Sequence, residues 1–296
     1  MKPTATLNVP FLITTAYRAL LLSLLLSLLL ISSLTVSADT LTRIKSGDVV
    51  TIGVANEIPY GYLNEQGEVT GEAPEIAKHI LSQLGSGQVE VVITEFGALI
   101  PGLKAGRFDM IAAGMYITPK RCRQILFSDP TYAIGEGFLV PQGNPKALHG
   151  YADIQSQKVR LGVMAGAVEY GYAREFGIAL QKLVTLPDYP SGVAALKAGR
   201  IDALAGTSLT MAQLADKDRR VELAQPFTPL VIKGKSVKGY GGFGFRRTDS
   251  DLRDAFNQQL AGFIGSQQHL DLIKPFGFGQ HTLPEGATAA QLCNTD

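Results

Sequence analysis

Arg121 stands a few residues beyond the apolar run Met110-Ile-Ala-Ala113 and the loop Gly114-Met-Tyr-Ile-Thr118, where the chain leaves the carboxyl end of an expected strand. A planar guanidinium fork in that place can hold a carboxylate through two parallel hydrogen bonds. The same arginine belongs to the basic run Lys120, Arg121, Arg123, so pattern alone leaves a solvated surface role equally open. Glu57, in the loop after the strand-like run Val49–Ala55, could complement a cation, although solvated loop glutamates are common. Tyr60, Phe96 and Tyr116 each fall in a loop that follows an expected strand. An aromatic box there gains about 0.5–2 kcal/mol per contact with a weakly hydrated cation. Each ring is also a candidate for the core, Phe96 most of all.

Chemistry of other kinds finds little support. His79, His149, His269 and His281 are scattered over helix, loop and tail contexts with no metal-ligand spacing, so neither a metal nor a cofactor is expected. No Gly-x-Ser-x-Gly elbow or phosphate-cradling loop accompanies the carboxylates Glu57, Glu95 and Glu169. The charge is nearly balanced, 27 Lys and Arg against 26 Asp and Glu, which gives no reason to expect nucleic acid or an anionic membrane surface as partner.

The N-terminus carries Lys2 and Arg18, no acid, the apolar run Ala19–Ile31 and then Val36-Ser37-Ala38. This is the layout of a signal peptide over residues 1–38, cut between Ala38 and Asp39. The alternative is an uncleaved anchor, since Ala19–Val36 is 18 residues long, at the lower limit for spanning a bilayer. No cysteine near the cut suggests a lipid anchor. In an oxidising compartment Cys122 and Cys293, the chain's two cysteines, read as one disulfide, with a two-cysteine metal site the weaker alternative.

The elements that must position these residues are announced by an internal repeat, Leu103-Lys-Ala-Gly-Arg-Phe-Asp109 against Leu196-Lys-Ala-Gly-Arg-Ile-Asp202. In both copies an apolar segment (Ala98–Ala105, Gly192–Ala198) ends at a glycine suited to a helix C-cap, and a buried-strand pattern follows, Met110–Ala113 and Ala203–Ala205. Upstream of each lies a matching strand, Val49–Ala55 and Val159–Met164, followed by a helix, Pro74–Leu84 and Val168–Phe176. This spacing predicts two α/β lobes with open, mostly parallel sheets, whose ligand sites lie beyond the strands' carboxyl ends. Gly135–Val140 and Gly241–Arg246 bracket the second lobe and read as a hinge of two crossing strands. A helix with Leu252, Ala255, Phe256, Leu260, Phe263 and Ile264 on one face is expected to pack back on the first lobe, and the tail from Gly279 to be irregular. The division is 39–138 with 242–296 for lobe 1 and 139–241 for lobe 2.

Over nearly all of the chain past residue 38, the sequence resembles the periplasmic solute-binding proteins of polar amino acid importers, and more narrowly those for ectoine and hydroxyectoine. The resemblance rests on Ala55-Asn-Glu-Ile-Pro-Tyr60, Thr94-Glu-Phe-Gly-Ala-Leu-Ile-Pro-Gly-Leu103 and Ala113-Gly-Met-Tyr-Ile-Thr-Pro-Lys-Arg-Cys122. It implies a two-lobed periplasmic binding protein of type II, a monomer without catalytic activity, handing a small zwitterion to an ABC permease in the inner membrane. It implies further that Arg121, in the segment Thr118-Pro-Lys-Arg121, clamps the ligand's carboxylate, with Glu57 and the rings of Tyr60, Phe96 and Tyr116 around its cation. Typical amino acid binders carry a Gly-Thr-Thr-like turn near Gly166-Ala-Val-Glu169 and an aspartate near Gly206-Thr207. Both are missing here, which argues against an ordinary α-amino acid and leaves Glu169, Tyr189, Ser191 and Thr207 as second-lobe candidates. A polar amino acid is the alternative ligand, and a dehydratase on the same fold or a ligand-presenting partner for a chemoreceptor are alternative roles.

Overall fold

The computed structural model describes residues 39–294 apart from Lys233. The expected leader and its cleavage site at Ala38 lie outside the described residues. Among the described residues, no helix is long and apolar enough to cross a membrane.

In chain order the first half contributes β1 (Val49–Val54), the short hairpin β2 (Tyr62–Leu63) and β3 (Val69–Thr70), then β4 (Gln88–Ile93), β5 (Met110–Tyr116), β6 (Leu126–Phe127) and β7 (Tyr132–Ile134). The second contributes β8 (Glu136–Pro141), β9 (Leu161–Met164), β10 (Leu183–Leu186), β11 (Ala203–Thr207) and β12 (Val221–Leu223). The hairpin β13 (Val231–Ile232) and β14 (Lys235–Ser236) follows, and then β15 (Gly239–Phe245). One sheet has the order β4-β1-β5-β15-β6, with β7 also on β15, and the other β10-β9-β11-β8-β12. In each, the first three strands run parallel and the next is antiparallel, so both sheets are mixed.

The repeated heptapeptide builds the same joint twice. The helices Leu99–Lys104 and Tyr189–Lys197 end next to Gly106 and Gly199, whose φ of +71° and +66° lie in the left-handed region that glycine enters without a Cβ penalty. The apolar residue that follows then seats on a glycine of the middle strand of the parallel trio. A Cβ on Gly53 would stand 2.6 Å from the Phe108 ring, and one on Gly162 2.5 Å from Ile201 Cδ1. The aspartate closes the joint, Asp109 Oδ2 accepting from Thr51 N at 3.1 Å and Asp202 Oδ2 from Arg160 N at 2.7 Å. Each aspartate also meets a cation, Arg246 and Lys146 respectively.

The helix Glu72–Gln83 starts two residues before the expected Pro74, because proline is tolerated in a first turn where its missing N–H costs nothing. Its buried residues Ile76, Ala77, Ile80 and Leu81 join a core with Leu252, Phe256, Leu260 and Phe263 of the helix Ser250–Phe263. That helix therefore packs on the first sheet, as its apolar face required.

The chain passes between sheets twice. Ile134 pairs with Gly239 in the first sheet and Glu136 with Thr207 in the second, so Gly135 alone makes one passage. The return lies between Ser236 and Gly239. The bulk of the runs 135–140 and 241–246 is thus held in sheet ladders, and the crossings sit at their edges. The tail departs from expectation. It forms a turn at Gln280–Thr282 and a helix at Ala289–Cys293, with Thr288 and Gln291 capping each other reciprocally. Ala289 and Leu292 give it something to bury in the core, and Cys293 is bonded to Cys122 with their Cα atoms 5.7 Å apart.

Reducing that bond is expected to destabilise the fold by about 2–5 kcal/mol. Denaturant unfolding with and without reductant measures the change. An unchanged midpoint, or two thiols titrating in the denatured unreduced protein, would contradict it.

Candidate ligand site between the two sheets

β1 ends at Val54, and the chain turns back on itself through Glu57 and Gly61, which exchange backbone hydrogen bonds of 2.7 and 2.9 Å. This tight turn aims Glu57 and Tyr60 at the seam between the sheets. Tyr60 lies flat on Gly114, where a Cβ would come within 2.3 Å of the ring and the backbone φ is +60°. Glycine is required there on both counts. Tyr132 donates its hydroxyl to Gly114 O at 2.6 Å, and its ring lies tilted by 34° against that of Tyr60 with centroids 5.1 Å apart. Tyr116, at the end of β5, covers Gly239 and donates to Ile134 O at 3.3 Å, so its ring wedges between the two crossing segments.

Arg121 rides on the short helical turn Pro119–Cys122, capped by Thr118, whose Oγ1 accepts from Arg121 N at 3.3 Å. Its guanidinium lies 5.3 Å over the ring of Phe96, which begins a turn after β4. Its hydrogen bonds go to neutral carbonyls, Nη1 to Tyr116 O at 2.7 Å and Nη2 to Gly166 O of the second lobe at 2.9 Å. Burial works against its charge, and Glu169 is the leading influence in favour of it.

Three more contacts cross the seam. Tyr60 donates to Thr207 Oγ1 at 2.9 Å, and Thr210 Oγ1 lies 3.1 Å from Glu57 Oε1 and 2.9 Å from Ile58 O. A Cβ on Gly166 would come within 2.6 Å of Gly97 Cα, so the two backbones meet directly. Glu57, Tyr60, Phe96, Tyr116, Arg121, Glu169, Tyr189 and Thr207 converge on one cavity of about 20 Å³, the space of roughly one water. A solute of amino acid size enters only if the sheets separate.

Of the residues singled out from sequence, Thr118 lies beneath the Arg121 turn rather than in the cavity wall. Ser191 sits in a helix capped by Asp188, and Glu95 is exposed. Sequence reasoning missed Tyr132, Met164, Thr210 and Glu136. Only Glu136 carried a signal, a lone acid in the apolar run Gly135–Val140.

The carboxyls are unusual. Glu57 is pushed up to about 8, first by burial and then by Glu169, against the pull of Thr210 and Arg121. Burial raises Glu169 to about 7, with Arg121 opposing. In the unfolded chain a glutamate titrates near about 4.3, so folding takes up protons above that pH. The stability these groups give is full below about 4.3 and is lost as pH rises through 7 to 8. The melting temperature is expected to fall from pH 5 to 8.5, and Glu57→Gln to flatten the slope. A wild-type profile without that fall would show both carboxyls remaining in water.

Residues 50–279 match the model of the bacterial extracellular solute-binding proteins, family 3. A probable amino-acid ABC transporter periplasmic-binding protein of Sinorhizobium fredii is 38% identical over 88% of this chain and 86% of its own length. The histidine-binding periplasmic protein of Salmonella typhimurium is 30% identical over 74% and 83%. Among solved structures, EhuB in complex with hydroxyectoine superposes with a TM-score of 0.78 at 34% identity, covering 87% of this chain and 98% of that one. These relatives are binding proteins, not enzymes, and two of them are described as periplasmic. On the family match and the length it covers, the chain belongs to the bacterial extracellular solute-binding proteins of family 3.

Proposed function

We propose that this protein captures a small zwitterion outside the cytoplasm and presents it to an ABC permease in the inner membrane. The ligand is a cyclic amidinium compound of the ectoine or hydroxyectoine kind. The observation that carries the reading is the convergence of Arg121, Glu57 and the rings of Tyr60, Phe96 and Tyr116 on one cavity. The likeness to EhuB, whose structure holds hydroxyectoine, supports it.

In this reading the lobes divide at the two crossings rather than at the expected 138/139 and 241/242, with 39–134 and 239–294 in one and 136–236 in the other. They part to admit the ligand and close as a monomer, after a leader has taken the chain to the periplasm. The ligand's carboxylate takes the place of Gly166 O on Arg121, trading a neutral acceptor for a charged one, which makes a stronger hydrogen bond. Its spread positive charge lies against the rings, which favour a poorly hydrated cation, and beside Glu57.

A second reading, a basic amino acid, is favoured by the surplus of buried acid at the seam, Glu57, Glu136 and Glu169 beside Arg121. Relatives that bind histidine, or lysine, arginine and ornithine, are compatible with it.

Arg121→Ala is expected to weaken ligand binding by several kcal/mol with the fold intact. Calorimetry showing less than about a threefold change, about 0.6 kcal/mol, would remove Arg121 from the site. Competition calorimetry with ectoine, hydroxyectoine, glutamate, glutamine and arginine separates the two readings. Tighter binding of any of these amino acids than of ectoine and hydroxyectoine would end the ectoine assignment.

A further inference from the structure

Glu136 opens β8, directly after Gly135 carries the chain from one sheet to the other. In the ladder it faces Thr207, and directly opposed residues of an antiparallel pair share one face of the sheet. Thr207 lines the cavity, so Glu136 stands on the cavity's side of the second sheet, behind the residues that form the wall. It is 6% exposed, and neither carboxyl oxygen finds a hydrogen-bond partner among the described residues. Glu169 Oε2 and the Tyr151 hydroxyl nearby are likewise without one.

Its surroundings offer no internal remedy. The groups whose ionisation its charge influences are Tyr116 on β5, Tyr151, Tyr172 and Tyr189 on three second-lobe helices. Glu169 and Glu57 in turn hold Glu136 well above the usual carboxylate range, after burial itself. Arg121 bears on Glu57 and Glu169. A buried acceptor left unpaired costs about 1–3 kcal/mol, and more when charged. Two electrostatically coupled carboxyls with unfilled acceptor positions, one in the wall of a cleft that must open and one just behind it, are therefore groups that an incoming donor can satisfy.

We infer that Glu136, together with Glu169, is a second-lobe acceptor site for the N–H donors of the ligand's cationic group. The solute then carries its positive charge on nitrogen that bears hydrogen, as in an amidinium, a guanidinium or a protonated amine. The inference rests on reading this cleft as the solute site, and it narrows the class of solute. The aromatic rings alone would accept a fully alkylated ammonium equally well. Such a cation brings no donor, and would leave both oxygens of Glu136 and Oε2 of Glu169 as unpaired as before.

The test is calorimetry of the wild type, Glu136→Gln, Glu136→Asp and Arg121→Ala with ectoine, L-arginine and glycine betaine, plus melting temperatures without ligand. The wild type is expected to bind ectoine or L-arginine at least about 100-fold more tightly than glycine betaine. Both Glu136 variants should weaken the N–H cation by about tenfold or more. Glu136→Gln should leave the ligand-free melting temperature unchanged or higher, since it replaces a buried carboxyl that has no hydrogen-bond partner with a neutral group of the same shape. Binding of ectoine and L-arginine within about threefold of wild type in both Glu136 variants would overturn the inference. So would glycine betaine binding as tightly as the other two, or a fall in melting temperature that marks Glu136 as a structural group. Arg121→Ala keeps the two levels apart. If it loses binding while the Glu136 variants do not, only this inference falls; if it binds like wild type, the cleft reading falls as well.

Discussion

Charge removed from water at the seam between the sheets is the constraint from which the rest of the site follows. A guanidinium at 7% exposure loses hydration that neutral carbonyls replace only in part, and Arg121 is held by two such carbonyls and the face of Phe96. One of those carbonyls, Gly166 O, belongs to the opposite lobe. Closure and the pairing of Arg121 are therefore one event. Any anion that enters competes for the same N–H groups that keep the seam shut. The acids answer the same constraint differently, by holding on to protons in the range where free glutamates have lost them.

Such a site needs walls that do not yield, and the first lobe supplies them. Tyr60, Tyr132 and Phe278 form a mutual ring cluster, with centroids 5.1 to 5.6 Å apart, seated against Gly114 and anchored by hydroxyl bonds. The turn bearing Arg121 is capped by Thr118 and followed at once by the cysteine that ties it to the C-terminal helix. The hydrogen bonds that hold the second lobe across the seam come from backbone and short hydroxyls, Gly166, Thr207 and Thr210, which let go more readily than packed rings, while Glu169 and Tyr189 complete the cavity wall.

The doubled joint explains how two unlike lobes present their strand ends to one cleft. Phe108 on Gly53 and Ile201 on Gly162 fix the middle strand of each parallel trio against its neighbour, and Asp109 and Asp202 tie each strand's start. With the amino-terminal ends fixed, the carboxyl ends and their loops are free to carry function, the usual disposition in open α/β sheets.

Much of this was legible in residue order. The heptapeptide repeat announced two lobes because a helix stop, a turn glycine and a buried strand are local devices that each need only neighbouring residues. Arg121, Glu57 and the three rings were marked by their positions after strands, and Cys122 and Cys293 by being two in number. What residue order did not carry was everything that depends on opposite faces meeting. Glu136 looked like one acid in an apolar strand, and only the register against Thr207 put it on the cavity's side of the second sheet. Tyr132 and Thr210 became site residues through contacts 18 and 153 residues away in sequence, which no local pattern encodes. The tail read as irregular because its few apolar residues are meaningless until the fold offers Ala289 and Leu292 a surface. Local propensity and spacing settle which elements form, while the pairing of charges and the cost of burying them are decided only where distant segments exclude water together.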